Sequence, residues 1–562
     1  MKPLLPHRDP PRLSGAAAGA WLLAFVAIAA LQLAADSLTL KSYDEGLILY
    51  GAARVAHGAV PYRDFWSMYG PGSFYALAGL DRLFGESVLL GRCFDAAARA
   101  AVVVLVFALT WRRCGRFAAG GAAAVAFGLL VSVREYLFPA LPATAFALLA
   151  MLALDRALAR CAVVQVDAPG AARAWALPGA AVGVTLLFRP DFGVYTALAC
   201  LCPLLTREQA ALGRRLAAFA VGALMIAGPP IAALLVQVPL RDLYDNLLRI
   251  PLQVYVANRA LPFPSVARAL GDAIEHHAVA PVLPLAIYLP LLVATVSVPM
   301  ALYRRFAGTP PPRDPRRPRA LFEALVVLNA LLCLKGAVRV EVLQMLPAMM
   351  VSIVLVARAL VRPGARGLSV PGAALLLVAL VGAAGAVVAR AVAPQGPAHR
   401  APPALALADW RHCGAAAIPR LGCFVLDEHR AEVLAYLQRH AKAGDLLYVG
   451  TGRHDKLFVN NVELYFLSGL AAATKWHDLH PGVQTTRALQ SAMIAEMNLH
   501  PPAFVVLNSE WDDRAEPNLS RVSSGVTLLD DYLRERFVVE LRAGSFTVSV
   551  PRGPAPQVGR AP

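Results

Sequence analysis

The chain is 562 residues long with 58% apolar and only 16% charged side chains, against roughly 45–50% and about 25% in soluble domains, so a wholly soluble globule is excluded. Its net charge of +16 suggests nucleic acid until the charges are placed: residues 396–562 hold 17 basic and 17 acidic side chains, leaving the whole excess among the apolar runs. There it sits in six short loops, 21 basic residues against five acidic ones, which the positive-inside rule assigns to the cytoplasm without any need for nucleic acid.

At about 20 residues per span, the apolar runs predict eleven transmembrane helices, near 16–35, 94–111, 117–133, 141–154, 174–188, 192–205, 216–238, 278–302, 320–334, 340–357 and 370–392. An odd number places the N-terminus in the cytoplasm and the C-terminal part on the exported face. The first run lacks a small-residue cleavage pattern and reads as an anchor. The expected organisation is a polytopic α-helical membrane domain over 1–392, with a long exported loop at 36–93, and a Pro- and Ala-rich linker at 393–406 that separates two bodies. A soluble exported α/β domain over 407–553 and a tail over 554–562 follow.

In that last domain, helices are expected at 428–441, 462–471, 486–497 and 528–537, strands at 446–450 and 504–507, and a hairpin at 538–550. Gly450-Thr451-Gly452 lacks the third glycine of a dinucleotide fingerprint. His454, Asp455, Lys456, Trp476, His477, Asp478, His480 and Trp511 are read as solvated loop residues in preference to acceptor contacts. Cys413 and Cys423 are the two cysteines of the exported domain; they are either a disulfide or two free thiols. No zinc or iron-sulfur spacing occurs.

The first exported loop carries the densest chemistry. It runs Ser42-Tyr43-Asp44-Glu45-Gly46, Gly58-Ala59-Val60-Pro61-Tyr62-Arg63-Asp64, Tyr69-Gly70-Pro71-Gly72, Leu83-Phe84-Gly85, then Arg92. Segments 46–56 and 73–83 read as amphipathic helices lying at the membrane interface. Later exported turns hold Phe188-Arg189-Pro190-Asp191 and the stretch from Lys335 to Pro347. Pro239 to Ala278 interleaves aromatic and polar residues, suiting either a carbohydrate surface or an interfacial helix over the bundle.

In order and spacing these pieces resemble the GT-C superfamily of membrane glycosyltransferases, and within it the bacterial enzymes similar to protein O-mannosyltransferases and lipid A aminoarabinose transferases. The resemblance implies a GT-C-like bundle and transfer of a sugar from a polyprenyl-phosphate donor to an envelope acceptor, a lipid, glycan or protein, on the exported face. Asp44 matches the first-loop catalytic carboxylate; Glu45 is the alternative base, and Asp64 an acceptor-shaping acid. Arg189, Lys335 and Arg339 are expected at the donor phosphate, with Asp191 orienting Arg189, and Tyr62 and Glu135 as further substrate contacts. The chemistry of the residues agrees: a hydroxyl attacking an anomeric carbon needs a base, and a departing lipid phosphate needs cations.

No metal ligand set is expected. A divalent cation is optional, since a lipid donor lacks the nucleotide diphosphate that usually demands one. The alternative function is a lipid-linked sugar or small-molecule transporter, which predicts helix-embedded charges and internal repeats that this sequence lacks. The Ala-, Arg- and Pro-rich composition suits a bacterial inner membrane, with membrane lipid as the surrounding partner.

Overall fold

The structure, a computed structural model, describes residues 15–42, 44–163, 172–204, 212–275, 285–306, 319–360 and 418–553. The apolar run 370–392, the linker 393–406, His276, His277, Cys413 and the tail 554–562 lie outside them. Among the described residues six helices are long and apolar enough to cross a membrane: Gly15–Ala34, Val88–Cys114, Ala140–Cys161, Leu212–Gln237, Leu285–Phe306 and Val342–Leu360. Arg116–Ser132 and Ala176–Phe188 are shorter apolar helices, and Pro190–Leu201 and Arg319–Gly336 complete the packed set.

Helix ends follow local chemistry. Ser87 caps Val88–Cys114 by accepting the Leu90 N–H, and Gly115, at φ 85°, ends it where a Cβ would be strained. The end of Arg116–Ser132 is closed from outside: buried Arg99 pairs with Asp95 at 2.5 Å and donates to the carbonyls of Leu130 at 2.6 Å, Val133 at 3.1 Å and Glu135. The Leu130 carbonyl is one of the acceptors a helix C-terminus leaves, and those of Val133 and Glu135 belong to the turn beyond it. Asp95 in turn accepts the Leu137 N–H at 3.0 Å, so one buried ion pair fixes the turn that carries Glu135.

Helices Ala176–Phe188 and Leu212–Gln237 cross backbone to backbone. A Cβ on Gly179 would stand 2.0 Å from the Phe219 carbonyl oxygen, and one on Gly222 the same distance from that of Ala176. Gly222→Val is expected to force this crossing apart, lowering the thermal unfolding midpoint by the equivalent of at least about 1–3 kcal/mol; a midpoint equal to wild type in detergent would contradict it.

The C-terminal part forms a five-stranded sheet, β1 Leu446–Thr451, β2 Ala471–Ala472, β3 Phe504–Asn508, β4 Phe537–Ala543 and β5 Phe546–Pro551. Its order is β2-β1-β3-β5-β4, with β1 parallel to β2 and β3, and β5 antiparallel to β3 and β4. Helices Glu428–His440, Glu463–Ser468, Arg487–Leu499 and Leu528–Arg536 join the strands. The chain leaves β1 for β2 on one side and later returns to β3 on the other, so the β1–β3 boundary is a topological switch point.

Helices Asp44–Ala56 and Gly72–Phe84 of the first loop share one apolar core with the sheet, in which Ile48, Phe65 and Phe74 pack with Leu434, Leu447 and Phe466. Val425 donates to the Leu38 carbonyl at 2.8 Å, Trp66 to that of Lys475 at 2.9 Å, and Tyr50 stacks on Tyr465. Asp44–Ala56 is buried along nearly its whole length and is no interfacial amphipathic helix. It has no lipid-facing side because one flank meets the bundle and the other the sheet; the N-terminal turn of Glu463–Ser468 abuts Gly46 so closely that a Cβ there would lie 2.7 Å from the Glu463 nitrogen.

Candidate active site

Asp44 opens its helix, where the N-terminal dipole favours a carboxylate, and it accepts a hydrogen bond from the Tyr69 hydroxyl. The punctuated stretch before Tyr69 aims that hydroxyl. Tyr62 takes a left-handed backbone, φ 70°, donates its N–H to the Phe65 carbonyl at 2.7 Å, and sends its hydroxyl to the Tyr69 carbonyl at 2.6 Å. Asp64 secures the same turn by accepting the Val60 N–H at 2.7 Å while pairing with Arg63. Neither Tyr62 nor Asp64 reaches the cavity at Asp44; both are scaffold.

Glu45 departs further from expectation. One residue on, a helix has turned about 100°, and its fully buried carboxylate binds Arg92, whose guanidinium also donates to the Ser37 carbonyl at 2.9 Å and that of Thr39 at 3.0 Å and lies 3.3 Å from the Tyr136 ring centroid. The Lys41 N–H completes the set at 2.9 Å. A carboxylate so saturated holds the start of the loop and is not open to a reactant.

Asp44, Tyr69 and Glu135 line a cavity of about 400 Å³ together with Tyr255, Arg259, Arg339, Glu341 and Gln344 from later turns, and Asp478, His480, Arg514 and Glu516 from the sheet region. The turns that reach it from the bundle follow Ala34, Ser132, Gln237 and Gly336, alternate helix ends opposite those bearing the basic loops. Arg339 binds Glu516 in bidentate fashion at 2.7 and 2.8 Å, pairs with Glu341 at 2.9 Å, and donates to the Arg259 carbonyl at 3.0 Å, bolting the sheet region to the turn after Gly336. The charges of Arg189 and Lys335 act on Asp44, though neither side chain is among those lining the cavity. Arg189 is gripped by Asp191 at 2.7 and 3.0 Å, and Lys335 by Gln344.

Electrostatics set Asp44 apart. Burial pushes its pKa from 3.8 up to about 6, against the pull of Tyr69 and Arg189. Burial and the nearby Asp44 charge take Glu135 and Asp478 up to about 7.

Half of the loop residues read as solvated are internal: His454 and His477 are fully buried and Asp455 and His480 nearly so, while Lys456, Trp476, Asp478 and Trp511 are half-buried. His454 bridges Asp530 at 2.7 Å and Tyr448 at 2.8 Å. Cys423 is disulfide-bonded. Leu240–Tyr244, the π-helical Asp245–Val254 and Tyr255–Arg259 run on as one helical stretch; its start exposes Leu240, Tyr244 and Leu248, and its end delivers Tyr255 and Arg259 to the cavity. Beside Arg189, an apolar groove of about 620 Å³ is lined by Leu186, Leu187, Pro190, Leu234, Leu243 and Leu247. No group of three His, Cys, Asp or Glu side chains gathers as a metal site among the described residues.

An apolar helical bundle with a carboxylate-headed helix in its first long loop, and a sheet region packed against that loop, is a fold this chain shares with solved membrane-protein structures. Two crystal structures of ArnT from Cupriavidus metallidurans, one bound to undecaprenyl phosphate and one in the apo state, share it over 95% of this chain and 98% of theirs, each with a TM-score of 0.54 at 15% identity. The archaeal oligosaccharyltransferase AglB from Archaeoglobus fulgidus is more distant, at a TM-score of 0.47 and 12% identity over 97% of this chain and 76% of that one. No protein-family model matches the chain, and no curated protein matches it in sequence.

Proposed function

We propose that this chain is an integral membrane glycosyltransferase that moves a sugar from a polyprenyl-phosphate donor to an envelope acceptor on the exported face of a bacterial inner membrane. The observation that carries the reading is a cavity lined by Asp44, which Tyr69 steadies and on which the charges of Arg189 and Lys335 act. The likeness to a protein crystallised with undecaprenyl phosphate supports it. Eleven spans, a cytoplasmic N-terminus and an exported α/β region belong to the same reading.

In this mechanism an acceptor hydroxyl oxygen attacks the anomeric carbon and a new C–O bond forms. The bond from that carbon to the phosphate oxygen breaks, its electron pair leaving on the polyprenyl phosphate, and the hydroxyl proton passes to Asp44. Arg189 and Lys335 stabilise the charge that grows on the phosphate. Arg339, already saturated by two carboxylates, serves mainly to fix the wall of the cavity, and the groove beside Arg189 receives the isoprenoid chain. No step requires a metal, and a divalent ion is optional.

The test incubates purified full-length protein with the polyprenyl-phosphate lipid fraction of its host's membranes and the delipidated envelope fraction. Free polyprenyl phosphate should appear in step with sugar gained by the acceptor. Arg189→Ala should slow this about 100-fold or more. Lipid that crosses the bilayer without cleavage would instead establish the transporter.

A further inference from the structure

The segment around Asp478 reaches the cavity from the sheet side and is unusually well tied. The buried Asn460 amide donates to the carbonyls of Val449 at 3.1 Å and His477 at 2.8 Å, and its oxygen accepts the Leu479 N–H at 3.0 Å. Gln484 donates to the Asp478 carbonyl at 3.0 Å and accepts the His480 N–H at 2.7 Å. Two side-chain amides thus fix the backbone on both sides of Asp478. Its carboxylate, by contrast, makes no hydrogen bond or ion pair among the described residues and faces the cavity.

Beside it, His480 is 94% buried as judged by its 6% exposure. Its Nδ1 lies 3.1 Å from the Pro481 carbonyl, the geometry of a donor, which leaves Nε2 as an unpartnered acceptor on the cavity side. Its ring lies 5.6 Å from that of Tyr255 at 32°, and Tyr255 lines the same cavity. A carboxyl group, an acceptor nitrogen and a ring face, held by a fixed backbone and without a protein hydrogen-bond partner among the described residues, call for a ligand that is rich in hydrogen-bonding groups and has an apolar face.

We infer that Asp478, His480 and Tyr255 form the acceptor subsite and that the acceptor is a glycan: sugar hydroxyls donate to Asp478 and to His480 Nε2, the C–H face of the ring rests on Tyr255 and His480, and a neighbouring hydroxyl is presented to Asp44. This rests on the transferase reading above. Asp478 exchanges no proton in the transfer; it binds and orients.

The test uses full-length protein, the host's polyprenyl-phosphate lipid fraction as donor, the delipidated envelope fraction as acceptor, and undecaprenyl phosphate alone as the probe of the donor side. Asp478→Asn should raise the acceptor KM about 10- to 100-fold, leave undecaprenyl phosphate affinity within about twofold, and leave the unfolding midpoint unchanged or higher, since a half-buried carboxyl without a protein partner is replaced by a neutral amide. Asp478→Glu should recover part of the acceptor affinity. An unchanged acceptor KM overturns the inference. A lowered midpoint with loss of both acceptor and undecaprenyl phosphate binding also overturns it, by making Asp478 structural. If the wild type itself transfers nothing, the transferase reading falls and the subsite falls with it.

Discussion

Asp44→Asn is expected to cut sugar transfer by about 10²- to 10⁴-fold, the range of a general base, while the protein still folds and inserts. The fold is spared because of the sign of the titration. Burial raises the Asp44 pKa from 3.8 to about 6, so folding takes up a proton between those values. The stability tied to the neutral acid is complete below pH 3.8 and gone once the pH has risen through about 6. At neutral pH the wild type bears a buried charge that asparagine lacks, and the variant should melt at the same temperature or higher. Transfer by the wild type should rise with pH through about 6, as the base must be ionised. Tyr69→Phe removes the hydrogen bond that lowers this pKa, so its acid limb should move to higher pH. A pH–rate profile of kcat/KM measures both, and an Asp44→Asn variant of wild-type rate removes Asp44 from the mechanism.

Arg92→Met should be the most damaging substitution to the fold. Both partners of the Arg92–Glu45 pair are inaccessible to solvent, and removing one partner of such a pair costs about 3–5 kcal/mol because the other charge is left buried. The loss extends to the two carbonyls, Ser37 and Thr39, that Arg92 also satisfies. The expected result is a large fall in the unfolding midpoint, partly recovered when Glu45→Gln is added, since neutralising Glu45 removes the stranded charge. A single variant as stable as wild type would show the pair to be dispensable. Asp44 and Glu45, adjacent in sequence, are thereby separated by experiment: one variant keeps the fold and loses activity, the other loses the fold.

The helical part of this molecule is legible because lipid leaves the backbone few ways to satisfy itself, so long apolar runs can be little else. Charges at the ends of such runs stand out for the same reason, which is how Asp44, Arg189, Lys335 and Arg339 draw notice. The sequence does not show which way adjacent acids face. That depends on Arg92, 47 residues beyond Glu45, and on a helix rotation that turns one acid toward the cavity and the other away. Tyr62 and Asp64 mislead for a different reason: turns and active sites use the same residue types, and here the pair builds the turn that presents Tyr69. Asp478, His480 and Glu516 carry no local signal. They lie in a segment of ordinary soluble composition, where polar loop residues usually face water, and are enclosed only because the sheet closes on a distant loop.

Because Asp44–Ala56 is buried in the apolar core that the first loop shares with the sheet, the bundle with its loop and the sheet cannot evolve as interchangeable cassettes. A chimera that joins these helices to another protein's last third would have a mismatched seam at Gly46, Tyr50 and Phe65 unless residues 36–93 were transplanted along with it, and natural recombination in this lineage should respect the same boundary.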